Sequence, residues 1–335
     1  MPARKKDTLF FDRPPIVAAW AAAGGKKESE GPLAAQFDFL TQDAAFAAQG
    51  CADWEQAESL LQQQAVGLCL RKADVARKDV QLTFAGDLQA QCTASNYTMR
   101  TLGTPFAGVY GACSTMAETL GLAACGLAQQ ALAFTSSHFC AAERQFRTPL
   151  PYGAKRTPTA QWTATAAGAC LVRGAGAAGV PIFSVTFGRV QDYEVRDINN
   201  MGAAMMPAAA STLLRYFDAT GAAPQDFDAI FTGDLGQVGS DLLHEQMEKE
   251  GLPLPNHRDC GCLLYKVEEQ NVQAGGSGAG CSAAVLCSHI LPGLKTGLYR
   301  RVLFVATGAL MSQTTFLQGE SIPGIAHCIE LGGAV

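Results

Sequence analysis

The stretch GTPFAGVYGACSTMAETLGLAACGLAQQALAF, residues 103–134, decides the fold of this chain. It opens with a short apolar run, residues 106–110, which predicts a buried strand. Gly-Ala-Cys-Ser follows at once, and Thr115 and Glu118 have the spacing of a capping box, which predicts the start of a helix. From Met116 onward the predicted helix is apolar on nearly every face, so it belongs in the middle of the molecule.

Cys113 lies where the predicted strand turns into the predicted helix. Backbone N–H groups are free at a helix start, and the helix dipole there favours a thiolate over a thiol. The alternative is that Cys113 is a small apolar core residue, since the chain has twelve cysteines and free cysteine is often buried. The sequence leaves both interpretations open: a residue of a ligand site, or a residue of the core.

The overall composition excludes some classes of function. A chain of 335 residues with 48% hydrophobic and 16% charged residues has room for one large domain or two fused halves around a large core. A net charge of −5 argues against nucleic acid as a partner, because phosphate recognition needs a basic face. We expect no signal peptide and no membrane span, so the twelve cysteines should remain thiols in a reducing compartment.

The metal signal is weak. Cys260 and Cys262 form a CxC pair after His257, but no second ligand pair follows at the spacing of a zinc site. We therefore expect two thiols on one face of a strand and no metal.

Two segments of the chain repeat. VQLTFAGDLQAQ, from Val80, resembles FDAIFTGDLGQV, from Phe227, and each runs an apolar strand into Gly-Asp-Leu. GVYGACSTMAETL is likewise matched by VQAGGSGAGCSAAVL, which begins at Val272. Repeats of this length indicate a duplicated α/β half with mostly parallel sheets covered on both faces. We predict five layers, α-β-α-β-α, from two pseudo-symmetric halves, residues 1–175 and 176–335.

Between the halves the sequence predicts a loop insertion at about residues 140–160, because prolines interrupt it. Arg147, Lys155 and Arg156 concentrate positive charge there. Arg156 is the candidate for gripping a carboxylate bidentately, and the alternative is an exposed, solvated loop.

The duplicated half and the cysteine at a strand-to-helix turn resemble the thiolase superfamily. The motifs GDLQAQ, GACSTMAE, RTPTAQWT, TGDLGQVGSD, DCGC, VQAGGSGAGCSA, VATGAL and QGESIPGIAH resemble more closely those of the stage V sporulation protein AD family, over nearly the whole chain. That resemblance implies a thiolase-like fold and a protein that binds dipicolinic acid or its calcium salt. It further implies a role in dipicolinate uptake into the developing spore, peripheral to the inner spore membrane, with membrane proteins of the same sporulation system as partners. By analogy with thiolase-like folds we expect a homodimer.

The chain departs from the catalytic superfamily at the residues that partner the cysteine. The nucleophile position matches Cys113, but the second-half motif reads Gly275-Gly276-Ser277, where active enzymes have His or Asn. After the second Gly-Asp-Leu strand, Asp234 stands where synthases carry a histidine, and a carboxylate raises the pKa of a neighbouring thiol. We therefore predict no enzymatic activity. The alternative is a Cys113-dependent acyltransferase, which His327 would support if it faced Cys113.

A binding site for dipicolinate needs N–H donors and a guanidinium for the carboxylates, and apolar walls for the ring. We expect two helix starts, at Cys113 and at residues 278–282, to supply the donors. Asp234 disfavours a bare dianion but suits its calcium complex, so calcium is expected only as part of the ligand. The sequence does not decide which aromatic residue forms the wall. The predicted ligand-binding residues are Cys113, Arg156, Asp234, Gly276, Ser277 and His327.

Overall fold

The computed structural model describes residues 2–126, 128–146 and 156–334. The middle of the predicted loop insertion, residues 147–155 with Arg147 and Lys155, lies outside these residues. Its first part is wrong as a loop, because residues 139–146 form a helix.

Fifteen strands make up the sheets in the described residues. They are β1 (Ala3–Lys5), β2 (Thr8–Phe10), β3 (Ile16–Gly24), β4 (Phe39–Leu40), β5 (Leu82–Gly86), β6 (Phe106–Gly108), β7 (Gln130–Ser137), β8 (Trp162–Thr163), β9 (Ala166–Arg173), β10 (Val180–Thr186), β11 (Ala229–Thr232), β12 (His257–Asp259), β13 (Gly276–Ser277), β14 (Arg301–Ala309) and β15 (Gly324–Gly332).

Eleven α-helices of the described part of the chain pack around these strands. They are α1 (Lys26–Ser29), α2 (Trp54–Lys72), α3 (Thr93–Leu102), α4 (Thr115–Ala124), α5 (Phe139–Phe146), α6 (Met201–Thr220), α7 (Gly236–Lys249), α8 (Cys260–Leu264), α9 (Ala279–Val285), α10 (Leu291–Thr296) and α11 (Gln313–Leu317). A π-helical segment, Leu286–Ile290, joins α9 to α10. None of the helices in the described part of the chain is long and apolar enough to cross a membrane.

The strand order repeats in the two halves of the chain. It runs β3-β9-β7-β5-β6 in the first half and β10-β15-β14-β11-β12 in the second, and β10 also pairs with β3 where the two sets meet. In each set the first two pairings are antiparallel and the last two are parallel. The prediction of mostly parallel sheets is therefore wrong, because β9 and β15 run against both of their neighbours.

The five predicted layers are present. A central core contains α4 and α9 and buries one face of each sheet, while separate cores lie under α2 and under α6 on the outer faces. Small residues allow the central helices to approach the strands: a Cβ on Gly280 would lie 2.2 Å from the carbonyl oxygen of Ala166. A Cβ on Gly168 would lie 2.5 Å from that of Ala283.

Three local predictions differ from the structure. β6 is a half-exposed edge strand and not a buried one, since only β5 pairs with it. The capping box at Thr115 and Glu118 is absent, because Ser114 is the N-cap and makes no side-chain capping bond. The two lysines and two glutamates of residues 24–31 predict a solvated loop. The segment instead contains α1, whose Glu28 is buried and accepts hydrogen bonds from the N–H groups of Gly25 and Thr165.

Candidate functional site

Cys113 lies in a tight 3-10 turn, Ala112–Ser114, that leads directly into α4. Ala112 has a φ of 50°, a conformation that costs a non-glycine residue energy and is common where a structure presents a functional group. The turn packs against β14, where a Cβ on Gly308 would lie 2.3 Å from the carbonyl oxygen of Gly111. The predicted position of Cys113, at a strand-to-helix turn, is confirmed.

Asp234 follows β11 and is completely buried beside Cys113. Its Oδ2 accepts hydrogen bonds from the backbone N–H of Gly278 at 2.8 Å and from the hydroxyl of Ser277 at 3.0 Å. Its Oδ1 accepts one from the hydroxyl of Thr307 at 3.0 Å, and the Cys113 thiol lies beside the carboxylate. The structure thus brings the predicted residues Cys113, Asp234 and Ser277 together.

The electrostatics of the Cys113–Asp234 pair oppose activation of the thiol. Burial and the neighbouring Asp234 carboxylate raise the pKa of Cys113 well above its ordinary value. Burial raises the pKa of Asp234 to about 7, although its hydrogen bonds act in the opposite direction. A nucleophilic cysteine needs a nearby base or cation to lower its pKa. Here the neighbour is an acid, so Cys113 is held as a thiol.

Backbone donors at the start of α9 already have partners within the protein. The N–H of Gly278 bonds to Asp234, that of Gly280 to the Ser137 hydroxyl at 3.1 Å, and that of Cys281 to the Gly278 carbonyl at 2.9 Å. The expectation that residues 278–282 offer N–H donors to a ligand is therefore wrong at these three positions, because each N–H is already bonded within the protein. At Gly278 the Asp234 carboxylate takes the place that an anionic ligand would occupy.

A small, partly open cavity lies above Cys113. Its walls are mostly apolar, and its polar groups are the Cys113 thiol, the hydroxyls of Tyr110, Thr163 and Ser277, and the carboxyl of Glu143. No His, Lys or Arg side chain is among the described residues that line it. The lining residues are Leu88, Tyr110, Ala112, Cys113, Ala142, Glu143, Phe146, Thr163, Met201, Met205, Ser277, Ala309 and Met311.

Arg156 lies behind the cavity wall and does not line it. Its Nη2 donates to the carbonyl oxygen of Gln161 at 2.8 Å and contacts Oε1 of Glu143 at 3.4 Å. Its guanidinium also lies 5.2 Å from the centroid of Trp162, whose ring stacks on Phe139 at 3.9 Å. Arg156 therefore reaches the cavity only through Glu143.

The two remaining predicted residues, Gly276 and His327, do not line the cavity. Gly276 is in β13, where its carbonyl accepts from Nε2 of Gln161 at 2.8 Å, so it supports the wall and does not line it. His327 is in β15, where its Nδ1 accepts from the N–H of Gly188 at 2.9 Å and its ring meets Phe187 edge-on. Burial lowers the pKa of His327 to about 4, so it is neutral. It is not brought to Cys113.

Glu143 and Gln161 are site residues that the sequence analysis missed. Glu143 is in α5, inside the segment interpreted as a loop, so no helical pattern drew attention to it. Gln161 donates to the carbonyl oxygens of both Asp234 and Gly276, which ties the turn after β11 to β13. The motif RTPTAQWT contains Gln161, and that match was the signal available for it.

Comparison with known proteins places these features in a family. The signature described as Stage V sporulation protein AD matches residues 5–332. Stage V sporulation protein AD of Bacillus subtilis (strain 168) is 42% identical over 337 residues, which cover 98% of this chain and 98% of that protein.

Solved structures of condensing enzymes share the fold at low sequence identity. The cerulenin-bound OleA of Xanthomonas campestris is 13% identical with a TM-score of 0.60, over 98% of this chain and 99% of that one. 3-Oxoacyl-acyl-carrier-protein synthase III of Aquifex aeolicus VF5 is 11% identical with a TM-score of 0.55, over 95% of this chain and 99% of that one. The thiolase-like fold is thereby confirmed, and at these identities the likeness concerns the fold alone.

Proposed function

The chain belongs to the stage V sporulation protein AD family, and on that premise we propose that it binds dipicolinate as its calcium complex in the cavity above Cys113. In this role it assists uptake of dipicolinate into the developing spore and catalyses no reaction. The observation that carries the proposal is the mostly apolar cavity above Cys113, with the buried Asp234 carboxyl group beside the thiol.

The charge of the cavity favours the calcium complex over free dipicolinate. Its one lining carboxyl group, Glu143, and the buried Asp234 behind it would both repel a dianion. Calcium dipicolinate is neutral overall, and Ca²⁺ accepts further carboxylate oxygens as ligands. Glu143 lines the cavity, where it also contacts Arg156 and Thr163, whereas Asp234 is not among the described lining residues. We therefore assign the contact with calcium to Glu143 and not to Asp234.

The walls suit a flat aromatic ligand. Tyr110 and Phe146 supply aromatic surface, and Met201, Met205 and Met311 supply flexible apolar surface that adapts to a ring. Tyr110 lines the cavity, whereas two other aromatic candidates for the wall, Phe106 in β6 and Trp162 in β8, do not. This assignment supports Tyr110 as the ring-binding wall.

Calorimetric titration tests the binding proposal. We expect calcium dipicolinate to bind at least about tenfold more tightly than dipicolinate with a chelator present, a difference of about 1.4 kcal/mol. Glu143→Gln should remove most of that difference, and Cys113→Ala should weaken binding without abolishing it. Glu118→Gln, which changes a half-buried glutamate that does not line the cavity, is the matched control. Equal or weaker binding in the presence of calcium would contradict the role of the complex.

The second candidate function, a Cys113-dependent acyltransferase, is tested by alkylation. Because burial and Asp234 both raise the pKa of Cys113, iodoacetamide at neutral pH should label it no faster than Cys92, another buried thiol. Asp234→Asn removes the repulsion of a thiolate, and each unit of pKa that it restores speeds labelling about tenfold. Rapid labelling of Cys113 in the wild-type protein, or its acylation by an acyl thioester, would favour the enzyme.

The proposal also includes a location and partners. We propose that the protein acts as a homodimer in the developing spore, peripheral to the inner spore membrane, and works with membrane proteins of the same sporulation system. Fractionation of sporulating cells checks this part: the protein should sediment with forespore membranes and be released by salt. Recovery only in the soluble fraction, without any membrane partner after cross-linking, would contradict it.

A further inference from the structure

Four polar side chains form a hydrogen-bonded chain from the surface at α7 to the turn that carries Asp234. The chain begins at His244, which is exposed on α7, and passes to His257, which is half-buried in β12. It continues through Thr232 at the end of β11 to the carboxylate of Asp259, and both of these side chains are buried. We call this set the histidine latch: His244, His257, Thr232 and Asp259.

The inner end of the histidine latch holds the start of α7. Oδ2 of Asp259 accepts a hydrogen bond from the N–H of Leu235 at 2.9 Å, and its Oδ1 accepts one from the N–H of Gly236 at 2.9 Å. Both N–H groups lie where the turn after β11 leads into α7, and Asp234 directly precedes Leu235 in that turn. Asp259 is therefore a positioning residue for the turn that carries Asp234.

The direction of each hydrogen bond in the latch follows from its inner end. The Thr232 hydroxyl donates its only hydrogen to Oδ2 of Asp259 at 2.7 Å, so it accepts from Nε2 of His257, 2.8 Å away. His257 thus carries its proton on Nε2, and its Nδ1 accepts from Nε2 of His244 at 2.9 Å. Every bond points inward, and the outermost one, between the two imidazoles, joins α7 to β12.

This outermost bond is incompatible with protonation of both imidazoles. An imidazolium donates from both ring nitrogens, so Nδ1 of His257 and Nε2 of His244 would then direct two N–H groups at each other. Among the described residues, no carboxylate bonds to either ring and compensates a second positive charge. Burial and the neighbouring His244 lower the pKa of His257 to about 3, so the latch is closed at neutral pH.

The groups packed around the two imidazoles do not replace the bond between them. β11 has no titratable side chain, and Arg258 of β12 bonds instead to the hydroxyl of Tyr299 at 3.2 Å. Asp241, one helical turn before His244, accepts from the Gln237 amide. The titratable groups of the packed elements are Asp241 and Glu248 of α7, Arg258 and Asp259 of β12, and Cys262 of α8.

We propose that the histidine latch holds α7 against β12 at neutral pH and opens when both imidazoles are protonated, so that acid loosens the turn that carries Asp234. In the open state His257 is separated from His244 and titrates as an ordinary histidine, with a pKa of about 6.5. The closed state binds fewer protons than the open state below that pH. Each further unit of acidification therefore favours opening by up to about tenfold.

Hydrogen exchange with mass spectrometry tests the latch. The full-length protein is used without ligand, so failure of the latch is distinguishable from failure of the proposed binding function. Protection factors, which correct for the intrinsic exchange rate, should fall at least about tenfold between pH 7 and pH 5 in peptides covering residues 233–249. Peptides of α2 report opening of the whole molecule, and they should keep their protection over the same range.

His244→Gln separates acid opening from a purely structural role of the latch. The Gln amide donates to neutral His257 through its NH₂ group and accepts from protonated His257 through its carbonyl oxygen, so the link persists in acid. Protection of residues 233–249 should then stay constant between pH 7 and pH 5. His138→Gln, which changes a buried imidazole of the first half, is the matched control and should behave as the wild type does.

Three results would overturn the proposal. One is wild-type protection of residues 233–249 that stays constant from pH 7 to pH 5, or that falls only together with that of α2. Another is an equal loss of protection in His244→Gln and in the wild type, since acid would then act elsewhere. The third is a ¹⁵N spectrum that places the proton of neutral His257 on Nδ1, because the hydrogen bonds would then run in the opposite direction.

Discussion

At the scale of single residues, Asp234 determines what Cys113 is able to do. Its carboxylate accepts from the Gly278 N–H and from the Ser277 and Thr307 hydroxyls, and it lies beside the Cys113 thiol. A condensing enzyme needs open donors here for a developing oxyanion, and a base for the proton. The side chain of Asp234 occupies such donors permanently. This arrangement supports the proposed function, in which the thiolase-like site binds a ligand and catalyses no reaction.

Stability should depend on pH through Asp234. Its pKa is raised to about 7 in the folded protein, against about 3.9 in an unfolded chain. The folded state therefore binds more protons than the unfolded state between these values, so this group lowers stability as pH rises from about 4 to about 7. At about 1.4 kcal/mol per unit the loss is at most about 4 kcal/mol.

Asp234→Asn should not show this loss. Urea unfolding at pH 4 to 8 gives the unfolding free energy of each protein. The wild-type value minus the variant value should fall by about 2–4 kcal/mol as pH rises. Other carboxyl groups with a raised pKa, such as that of Glu118, titrate in both proteins, so their contributions to stability cancel in the difference. A difference that stays constant across this range would show that Asp234 does not titrate there.

The sequence could predict part of this site and not the rest. Cys113 and Asp234 lie in turns that follow strands, and Ser277 ends the short strand β13. The repeated Gly-Asp-Leu and Cys-Ser patterns point to these positions. Arg156 was predicted to grip a ligand from its charge alone, and its packing against Glu143 and Trp162 depends on the folded chain. Whether a side chain in a connecting segment lines a cavity depends on tertiary packing, which a local pattern does not record.

At the scale of secondary structure, the turn that carries Cys113 depends on its contact with β14. Gly308 lies against this turn, and a Cβ there would meet the Gly111 carbonyl oxygen at 2.3 Å and the Ser114 nitrogen at 3.0 Å. Both contacts are with backbone atoms, so rotation of a side chain cannot relieve them. The position of Cys113 relative to Asp234 is therefore fixed partly by a glycine in a different half of the chain.

Gly308→Ala should displace the Cys113 turn. We expect the free energy of unfolding to fall by about 1–3 kcal/mol, as for other overpacked sites, and ligand affinity to fall with it. Gly174→Ala is the matched control, because a Cβ there has no atom within 4 Å, and its effect should stay within about 0.5 kcal/mol. Unfolding and calorimetric titration of both variants check this. Wild-type stability and affinity in Gly308→Ala would show that the turn does not rest on β14.

At the scale of the whole molecule, the repeated strand order explains why the fold was predictable. Paired motifs such as GDLQAQ and TGDLGQ identified two similar halves, and the five layers follow from packing their helices and sheets. The direction of individual strands was not predictable in this way, because β9 and β15 are as apolar as parallel strands. The boundary between residues 175 and 176 stays a prediction.

The proposed homodimer makes use of an open sheet edge. β6 ends the sheet of the first half, and its residues Phe106–Gly108 pair on one side only, with β5. The carbonyl of Pro105 and the N–H of Val109 both bond to β5. Because bonding directions alternate along a strand, the N–H groups of Phe106 and Gly108 point away from β5. An unpaired edge of this kind is a template for a second strand.

Gly108→Pro should convert the dimer to a monomer. Proline removes an N–H that faces the open edge and leaves the bonds to β5 in place, so the protein should stay folded. Ala107→Pro, by contrast, removes an N–H directed at β5 and should destabilise the monomer itself. Sedimentation velocity gives the mass of each variant, and circular dichroism monitors folding. A Gly108→Pro protein that is folded and still dimeric would show that the subunits associate through another surface, since a strand added at β6 requires this N–H.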